Sequence, residues 1–180
     1  TAMLLGAAEV LAGMRAELPG TVKFIFQPAE EGAPPSEGTA GAQLMVEQGV
    51  MQNPKVDAVF GLHVFANVPT GAISYRRGPF MAAADRFDIT ITGKQTHGSA
   101  PWKGVDPIVV GAQIVSSLQT IVSRSVDITA LPAVVTVGQF QSGVRNNIIP
   151  DTARLVGTIR TFDPLVQEDI HVRVKRIAEG

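Results

Sequence analysis

The sequence is poor in the residues that mark several common protein classes. Its 180 residues include no cysteine, so disulfide frameworks and thiolate metal sites are excluded within the chain. Lysine and arginine total 15 against 16 aspartates and glutamates, which leaves no basic face for nucleic acid or an anionic membrane. Charged residues make up only 17% and hydrophobic residues 45%, a composition typical of a chain that buries a core.

Long apolar runs are also missing. Gly, Glu, Pro or Lys interrupts each apolar stretch well before the ~20 residues needed to span a bilayer, and no signal-peptide pattern is present. We therefore expect a soluble, cytoplasmic protein that binds neither nucleic acid nor membrane. Because the chain opens at Thr1 inside one helical pattern and closes inside another, we also expect an internal fragment of a longer protein.

The first 83 residues have the pattern of an α/β unit, which we predict to be part of a parallel-sheet domain. Apolar residues recur at helical spacing from Ala2 to Leu18, and a second helix is predicted over residues 40–49. Residues 33–39 have the composition of a loop. Three short β-rich runs are predicted to be strands; they cover residues 21–26, 56–64 and 71–76.

From residue 84 onward the pattern is that of an antiparallel α+β domain. Residues 86–92 alternate between apolar and polar, as a half-buried strand does. The predicted order β-α-β-β-α is most of a ferredoxin-like unit that lacks its final strand. The later elements are a helix over 106–124, strands over 133–140 and 152–160, and a helix that begins at Asp163-Pro164.

Two adjacent carboxylates, Glu30 and Glu31, follow the first predicted strand. Ligands bind at the carboxyl ends of strands in open α/β sheets. Neighbouring side chains point in different directions, so one carboxylate could bind a metal while the other acts as a base. On position alone, a solvated pair of loop side chains is the commoner case.

Three histidines are candidates for chemistry or for a structural role. His63 ends the apolar run 56–64, where a metal ligand and a core histidine with one hydrogen bond are equally compatible with the pattern. Its occurrence with the Glu pair favours a metal site. His97 lies in a loop of small residues, a place where function is often found. His171 has no evident partner and is expected to be structural. Asn147 suits a turn and Arg160 an exposed strand position.

Five motifs occur in order along the chain: Gln27 to Gly32, Phe60 to His63, the His97 loop through Pro107, Asn147 to Asp151, and Gly157 to Arg160. Together they resemble one enzyme family, the aminoacylase/carboxypeptidase G family of co-catalytic metallopeptidases and amidohydrolases. The hippurate hydrolase, N-acyl-amino-acid amidohydrolase and auxin-conjugate hydrolase branch is the most similar. The resemblance covers essentially the whole chain. It implies a metal-binding catalytic domain (residues 1–83) followed by most of a ferredoxin-like lid that mediates dimerisation (residues 84–180).

The resemblance also implies roles for six residues. Glu30 is similar to the general base, whereas Glu31 and His63 are similar to metal ligands. The remaining ligands of two divalent ions would lie outside this chain; zinc is the default, and manganese or cobalt is compatible. His97 resembles a lid histidine that reaches the other subunit of a homodimer, and Asn147 and Arg160 resemble residues that hold the substrate. Trp102 stands where relatives commonly have His, and we expect it to affect substrate shape.

The implied function is metal-dependent hydrolysis of the N-acyl bond of N-acylated amino acids or short peptides. We expect this fragment alone to be inactive and to bind metal poorly. One alternative is a non-catalytic fragment that serves as a dimerisation or peptide-binding module through its edge strand. Another is a small-molecule-binding α/β domain, which would leave the Glu pair and His63 unexplained. No Walker loop, Rossmann fingerprint, nucleophile elbow or His-Glu-x-x-His motif occurs.

Overall fold

Two compact units make up the chain. The computed structural model describes residues 1–32 and 41–180, and it divides into Thr1–Ile73 and Ser74–Gly180. The boundary predicted from the sequence is between residues 83 and 84. The assignment of the two parts to a catalytic domain and a lid stays a prediction.

Among its described residues, the first unit has two α-helices, α1 (Ala2–Gly13) and α2 (Gly41–Glu47). Helix α1 lies within the predicted helix and is shorter at its carboxyl end, because a 3₁₀ turn at Arg15–Glu17 follows it. No residue of α1 is buried. The predicted loop over residues 33–39 lies outside the described residues.

The strands predicted over residues 21–26, 56–64 and 71–76 are not present. These segments run without regular secondary structure, and the described residues contain no parallel sheet. The reason is physical: a strand exists through backbone hydrogen bonds to a neighbouring strand. Apolar, β-branched sequence supplies the propensity for a strand but does not supply the partner.

The second unit is built on antiparallel strands. They are β1 (Ala83–Thr92), β2 (Thr96–His97), β3 (Val134–Ser142), β4 (Ile148–Ile149) and β5 (Thr152–Thr161). The main sheet has the order β1-β5-β3, and a separate two-stranded sheet pairs β2 with β4. Strand β1 alternates between half-buried and exposed residues, which confirms the alternation predicted for residues 86–92.

Two helices pack on one face of this sheet. They are α3 (Pro107–Thr120), which continues into a π-helical turn at Ile121–Ser125, and α4 (Pro164–Glu179). Helix α4 begins as the sequence predicts, with an aspartate cap followed by proline, and α3 begins in the same way. The Asp106 carboxylate accepts a hydrogen bond from a first-turn backbone N–H at 2.9 Å, and the Asp163 carboxylate does so at 2.8 Å.

The hydrophobic core lies between the helices and the sheet. Ile114 and Leu118 of α3 and Ile170 of α4 meet Leu155 and Ile159 of β5 there, and all five are at least 93% buried. The main sheet and its two helices follow the predicted order β-α-β-β-α, with the short strands β2 and β4 in addition. The assignment to a ferredoxin-like lid stays a prediction. No helix among the described residues is long and apolar enough to cross a bilayer.

Candidate active site

Glu30 and Glu31 lie in a tight turn in the first unit. The backbone N–H of Gly32 donates to the Ala29 carbonyl at 3.1 Å, and both glutamates are exposed. Ala29 has φ 49°, a left-handed conformation that costs an L-residue about 1–2 kcal/mol. Backbone strain of this kind is concentrated at functional sites. The turn therefore presents two adjacent carboxylates to solvent.

His63 has a defined ring state. Its Nδ1 lies 2.8 Å from the carbonyl oxygen of Val64, and a carbonyl can only accept a hydrogen bond. The proton of the neutral ring is therefore on Nδ1, and Nε2 carries a lone pair. Metal-ligating histidines commonly donate their other ring N–H to a backbone carbonyl in this way. The ring also contacts Phe65 at a centroid distance of 4.6 Å.

The donor chemistry of this unit fits a divalent metal, since it offers a carboxylate at Glu31 and an unprotonated imidazole nitrogen at His63. Within residues 1–32 and 41–180, no three His, Asp or Glu side chains converge to hold a metal ion. Both residues stay predicted ligands.

In the second unit, the structure brings His97 and Asn147 together. Strand β2 pairs with β4 so that His97 faces Ile148, and the backbone N–H of Gly98 donates to the Asn147 carbonyl at 2.8 Å. A Cβ at position 98 would lie only 3.2 Å from that carbonyl oxygen. A glycine here thus allows the loop to approach the chain at Asn147 closely.

The loop that carries His97 is closed at its base. Lys94 and Val105 exchange two backbone hydrogen bonds of 2.9 and 3.0 Å. A Cβ at Gly93 or Gly104 would lie 2.5 Å from a backbone oxygen of this bridge, so the two glycines permit the contact. Trp102 lies in a 3₁₀ turn of the same loop and is 77% exposed. Its predicted effect on substrate shape stays a prediction.

The His97 imidazole has a single side-chain partner among the described residues, Ser99. The Ser99 Oγ lies 2.7 Å from Nδ1 of the ring, and the Ser99 backbone nitrogen lies 3.2 Å from the same atom. The ring is exposed to solvent. Nε2 therefore faces no protein partner within the described residues.

Arg160 lies on the open face of the main sheet, opposite the helices. Its Nη1 donates to Thr158 Oγ1 and, at 3.0 Å, to the Ile159 carbonyl. The Thr158 hydroxyl in turn donates to the Asp85 carbonyl at 3.0 Å. Because that bond uses the only proton of the hydroxyl, its oxygen must accept from Arg160. Thr158 thus fixes the guanidinium on this face.

Arg160 is distant from the His97 loop. It pairs with Ala84 near one end of the sheet. Thr152, at the other end of β5, comes only a few residues after Asn147 in the sequence, and the chain next to Asn147 pairs with the strand that contains His97. Arg160 lies eight residue steps from Thr152 along the strand, or about 26 Å at about 3.3 Å per step. One copy of the second unit therefore does not bring Arg160, His97 and Asn147 together at one small site.

A second arginine on the open face is already engaged. Arg154 Nε donates to Asp88 Oδ1 at 2.8 Å, and its Nη2 donates to Oδ2, so the pair is bidentate. This hydrogen bonding holds the pKa of Asp88 below its ordinary value. Arg160 makes no ion pair within the described part of the chain, so its guanidinium can take a substrate carboxylate.

Several polar contacts were not predicted from the sequence. His171 Nε2 lies 3.5 Å from Asp85 Oδ2, which also accepts from Gln167 Nε2 at 2.7 Å. The expectation that His171 is structural agrees with its position between α4 and the sheet.

An open groove of about 460 Å³ adjoins β4 and is lined in part by Arg145 and Asn146. A candidate that the sequence could have suggested is Ser99, two residues after His97, where a hydroxyl can reach the ring.

Comparisons with known proteins were consistent with one another. The family model described as peptidase family M20/M25/M40 matches residues 1–178. N-acetylcysteine deacetylase of Bacillus subtilis (strain 168) is 43% identical over 180 residues, which are 100% of this chain and 45% of that protein. N-acyl-L-amino acid amidohydrolase of Geobacillus stearothermophilus is 42% identical over 180 residues, or 100% and 46%.

A solved structure has a similar fold. A dinuclear metal-binding peptidase of family M20 from Bacillus subtilis matches with a TM-score of 0.67 and 40% identity, over 98% of this chain and 41% of that one. The chain thus spans less than half the length of these relatives.

Proposed function

The chain belongs to peptidase family M20/M25/M40, which confirms the resemblance drawn from its motifs, and from this membership we propose that the protein hydrolyses the amide bond of N-acylated amino acids. Relatives at 42–43% identity are named for deacetylation of N-acetylcysteine and for hydrolysis of N-acyl-L-amino acids. The proposed substrates are small N-acyl amino acids or short peptides.

Glu31 and His63 would hold part of a site for two divalent cations, with the other ligands outside this chain. When bound, such ions lower the pKa of a water molecule toward about 7, so that hydroxide becomes available at neutral pH. Zinc is the default ion, and manganese or cobalt suits the same ligands. The observation that carries the proposal is the tautomer of His63. Its Nδ1–H donates a hydrogen bond to the Val64 carbonyl, which leaves Nε2 free to act as a ligand.

Glu30 would act as the general base. Its neighbour is assigned to the metal, which leaves the Glu30 carboxylate free to take a proton from water and pass it to the leaving amine. Proton transfer by a positioned side chain is worth about 10²–10⁴-fold in rate. The exposure of both glutamates on one turn supports the access to water and metal that these two roles require.

The lid residues would act from two copies of the protein. Arg160 would bind the substrate α-carboxylate through its forked guanidinium. His97 would donate a hydrogen bond to the tetrahedral oxyanion, and Asn147 would help hold the substrate backbone. The length of β5 between the Arg160 and His97 regions supports a homodimer in which one lid supplies Arg160 and the other supplies His97 and Asn147.

The test uses the full-length enzyme and three glutamate variants. Glu30→Gln should abolish turnover of an N-acyl amino acid and leave metal content near normal, whereas Glu31→Gln should lower metal content. Glu9→Gln, on the exposed surface of α1, is the matched control and should do neither. Turnover retained in Glu30→Gln would contradict the assignment of the base.

A second candidate is that this segment acts as a dimerisation or peptide-binding module without catalysis. The sheet order leaves the outer edges of β1 and β3 without a strand partner among the described residues, and such edges can accept another strand. A metal assay of the full-length protein separates the two proposals, because only the hydrolase requires bound metal ions. Stoichiometric tight binding of zinc by the 180-residue chain would contradict the expectation that two ligands are too few to hold the ion.

A cytoplasmic location stays a prediction.

A further inference from the structure

Ser99 makes two hydrogen bonds to one ring nitrogen of His97. Its Oγ lies 2.7 Å from Nδ1, and its backbone nitrogen lies 3.2 Å from the same atom. A backbone N–H can only donate, so Nδ1 must be the acceptor and carries no proton. The Ser99 hydroxyl then donates to Nδ1 as well. The proton of the neutral ring is left on Nε2.

We propose that Ser99 is a positioning residue that fixes His97 as the Nε2–H tautomer, so that the ring offers a hydrogen-bond donor to the substrate. The tautomer follows from these contacts alone. Its consequence for turnover rests on the proposed function, in which His97 donates to an oxyanion. With the other tautomer, Nε2 would present a lone pair to a negative charge and would repel it.

The backbone around Ser99 keeps its N–H in place. Ala100 N donates to the His97 carbonyl at 2.8 Å, and Gly98 N donates to the Asn147 carbonyl at 2.8 Å. The peptide N–H of Ser99 therefore remains aimed at the ring in any variant that keeps the loop. Replacing Ser99 by alanine removes only the hydroxyl, and we expect a partial loss of tautomer control.

His63 provides an internal comparison. Its Nδ1 faces the carbonyl oxygen of Val64 at 2.8 Å, which is an acceptor, whereas Nδ1 of His97 faces two donors. The two rings should therefore hold their protons on opposite nitrogens. His63 leaves Nε2 as a lone pair suited to a metal, and His97 leaves Nε2–H suited to an anion.

The tautomers can be measured by ¹⁵N NMR of the ring nitrogens, since the chain has only three histidines. At a pH where the rings are neutral, Nδ1 of His97 should be unprotonated and Nε2 protonated. Ser99→Ala should raise the Nδ1–H population, and Ser99→Thr should restore the original state. Ser123→Ala removes a hydroxyl bonded to the Gln119 carbonyl and should leave His97 unchanged. A wild-type His97 that is mainly Nδ1–H, or a Ser99→Ala spectrum identical to wild type, would overturn the inference.

Kinetics of the full-length enzyme supply the second measurement. Ser99→Ala should lower kcat about threefold to tenfold, the range expected for one hydrogen bond, with metal content unchanged and rescue by Ser99→Thr. An unchanged kcat beside an altered tautomer would overturn the positioning role. These outcomes are separate from the fate of the proposed function, which fails if the wild-type full-length enzyme does not hydrolyse N-acyl amino acids.

Discussion

Gly157 is predicted to be a packing requirement of the sheet rather than a part of the chemistry, although it lies three residues before Arg160. Phe87 pairs with Gly157 across the strands. A Cβ at position 157 would lie 2.1 Å from Phe87 Cζ and 2.4 Å from the carbonyl oxygen of Thr136. Carbon atoms in ordinary contact lie about 3.5 Å or more apart, so an alanine at position 157 requires the neighbouring atoms to shift by more than an ångström.

The cost of Gly157→Ala can be estimated from this geometry. Overpacking a core costs about 1–3 kcal/mol and occasionally more. We expect the upper end, about 3 kcal/mol, because one of the two obstacles is backbone and cannot change rotamer. With a urea m-value of about 2 kcal/mol/M, the unfolding midpoint should fall by about 1.5 M.

The assay is urea unfolding followed by circular dichroism, with Gly138→Ala as the matched control. Gly138 lies on the neighbouring strand β3, and the nearest atom to a Cβ there is 4.0 Å away. That variant should change the free energy of unfolding by less than about 0.5 kcal/mol. In a Phe87→Leu background, Gly157→Ala should cost at least about 1 kcal/mol less, since the ring is gone. Equal stabilities for the two alanine variants would refute the reasoning.

Three further predictions concern the second unit. Asp88→Asn should make the free energy of unfolding less dependent on pH in acid. In the wild type, the hydrogen bond from Arg154 lowers the pKa of Asp88 below 3.8, so the pair stabilises the fold above that pH and loses its effect as the pH falls through the native pKa. The variant should show no such loss when urea unfolding is measured across the acid range. Asp106→Ala should destabilise by about 1 kcal/mol through loss of the α3 cap, and an unchanged urea midpoint would contradict this. In the full-length enzyme, Thr158→Val should raise KM for N-acyl amino acids about threefold to tenfold by releasing Arg160, with kcat nearly constant. Thr158→Ser should behave like wild type, and an equal effect on a substrate whose carboxylate is amidated would contradict the role.

The sequence predicts the second unit well because its signals are local. The cap predicted at Asp163 before Pro164 forms, and Asp106 caps the preceding helix α3 in the same way. The alternation of residues 86–92 matches the half-buried pattern of β1. In the first unit, local patterns predict strands over 21–26 and 56–64 that are not formed. A strand depends on a pairing partner, which the local sequence does not specify.

The candidate site is predictable in residue type and less so in arrangement. The pattern singles out Glu30, Glu31 and His63 as a carboxylate pair and an imidazole, and their roles stay predictions. Neither the ring state of His63 nor that of His97 follows from spacing, since each depends on which backbone atom meets Nδ1. The length of sheet between Arg160 and His97 depends on strand register, which sequence spacing alone leaves open.

The exposed apolar segment of the first unit bears on how the chain behaves in solution. Phe60 is 94% exposed, and Val59, Leu62 and Val64 are each at least 65% exposed. An uncharged, β-prone run of this kind is a template for cross-β stacking between chains. Samples should therefore aggregate with rising concentration, and Phe60→Lys should delay the onset of light scattering, because a charge within such a run acts as a gatekeeper.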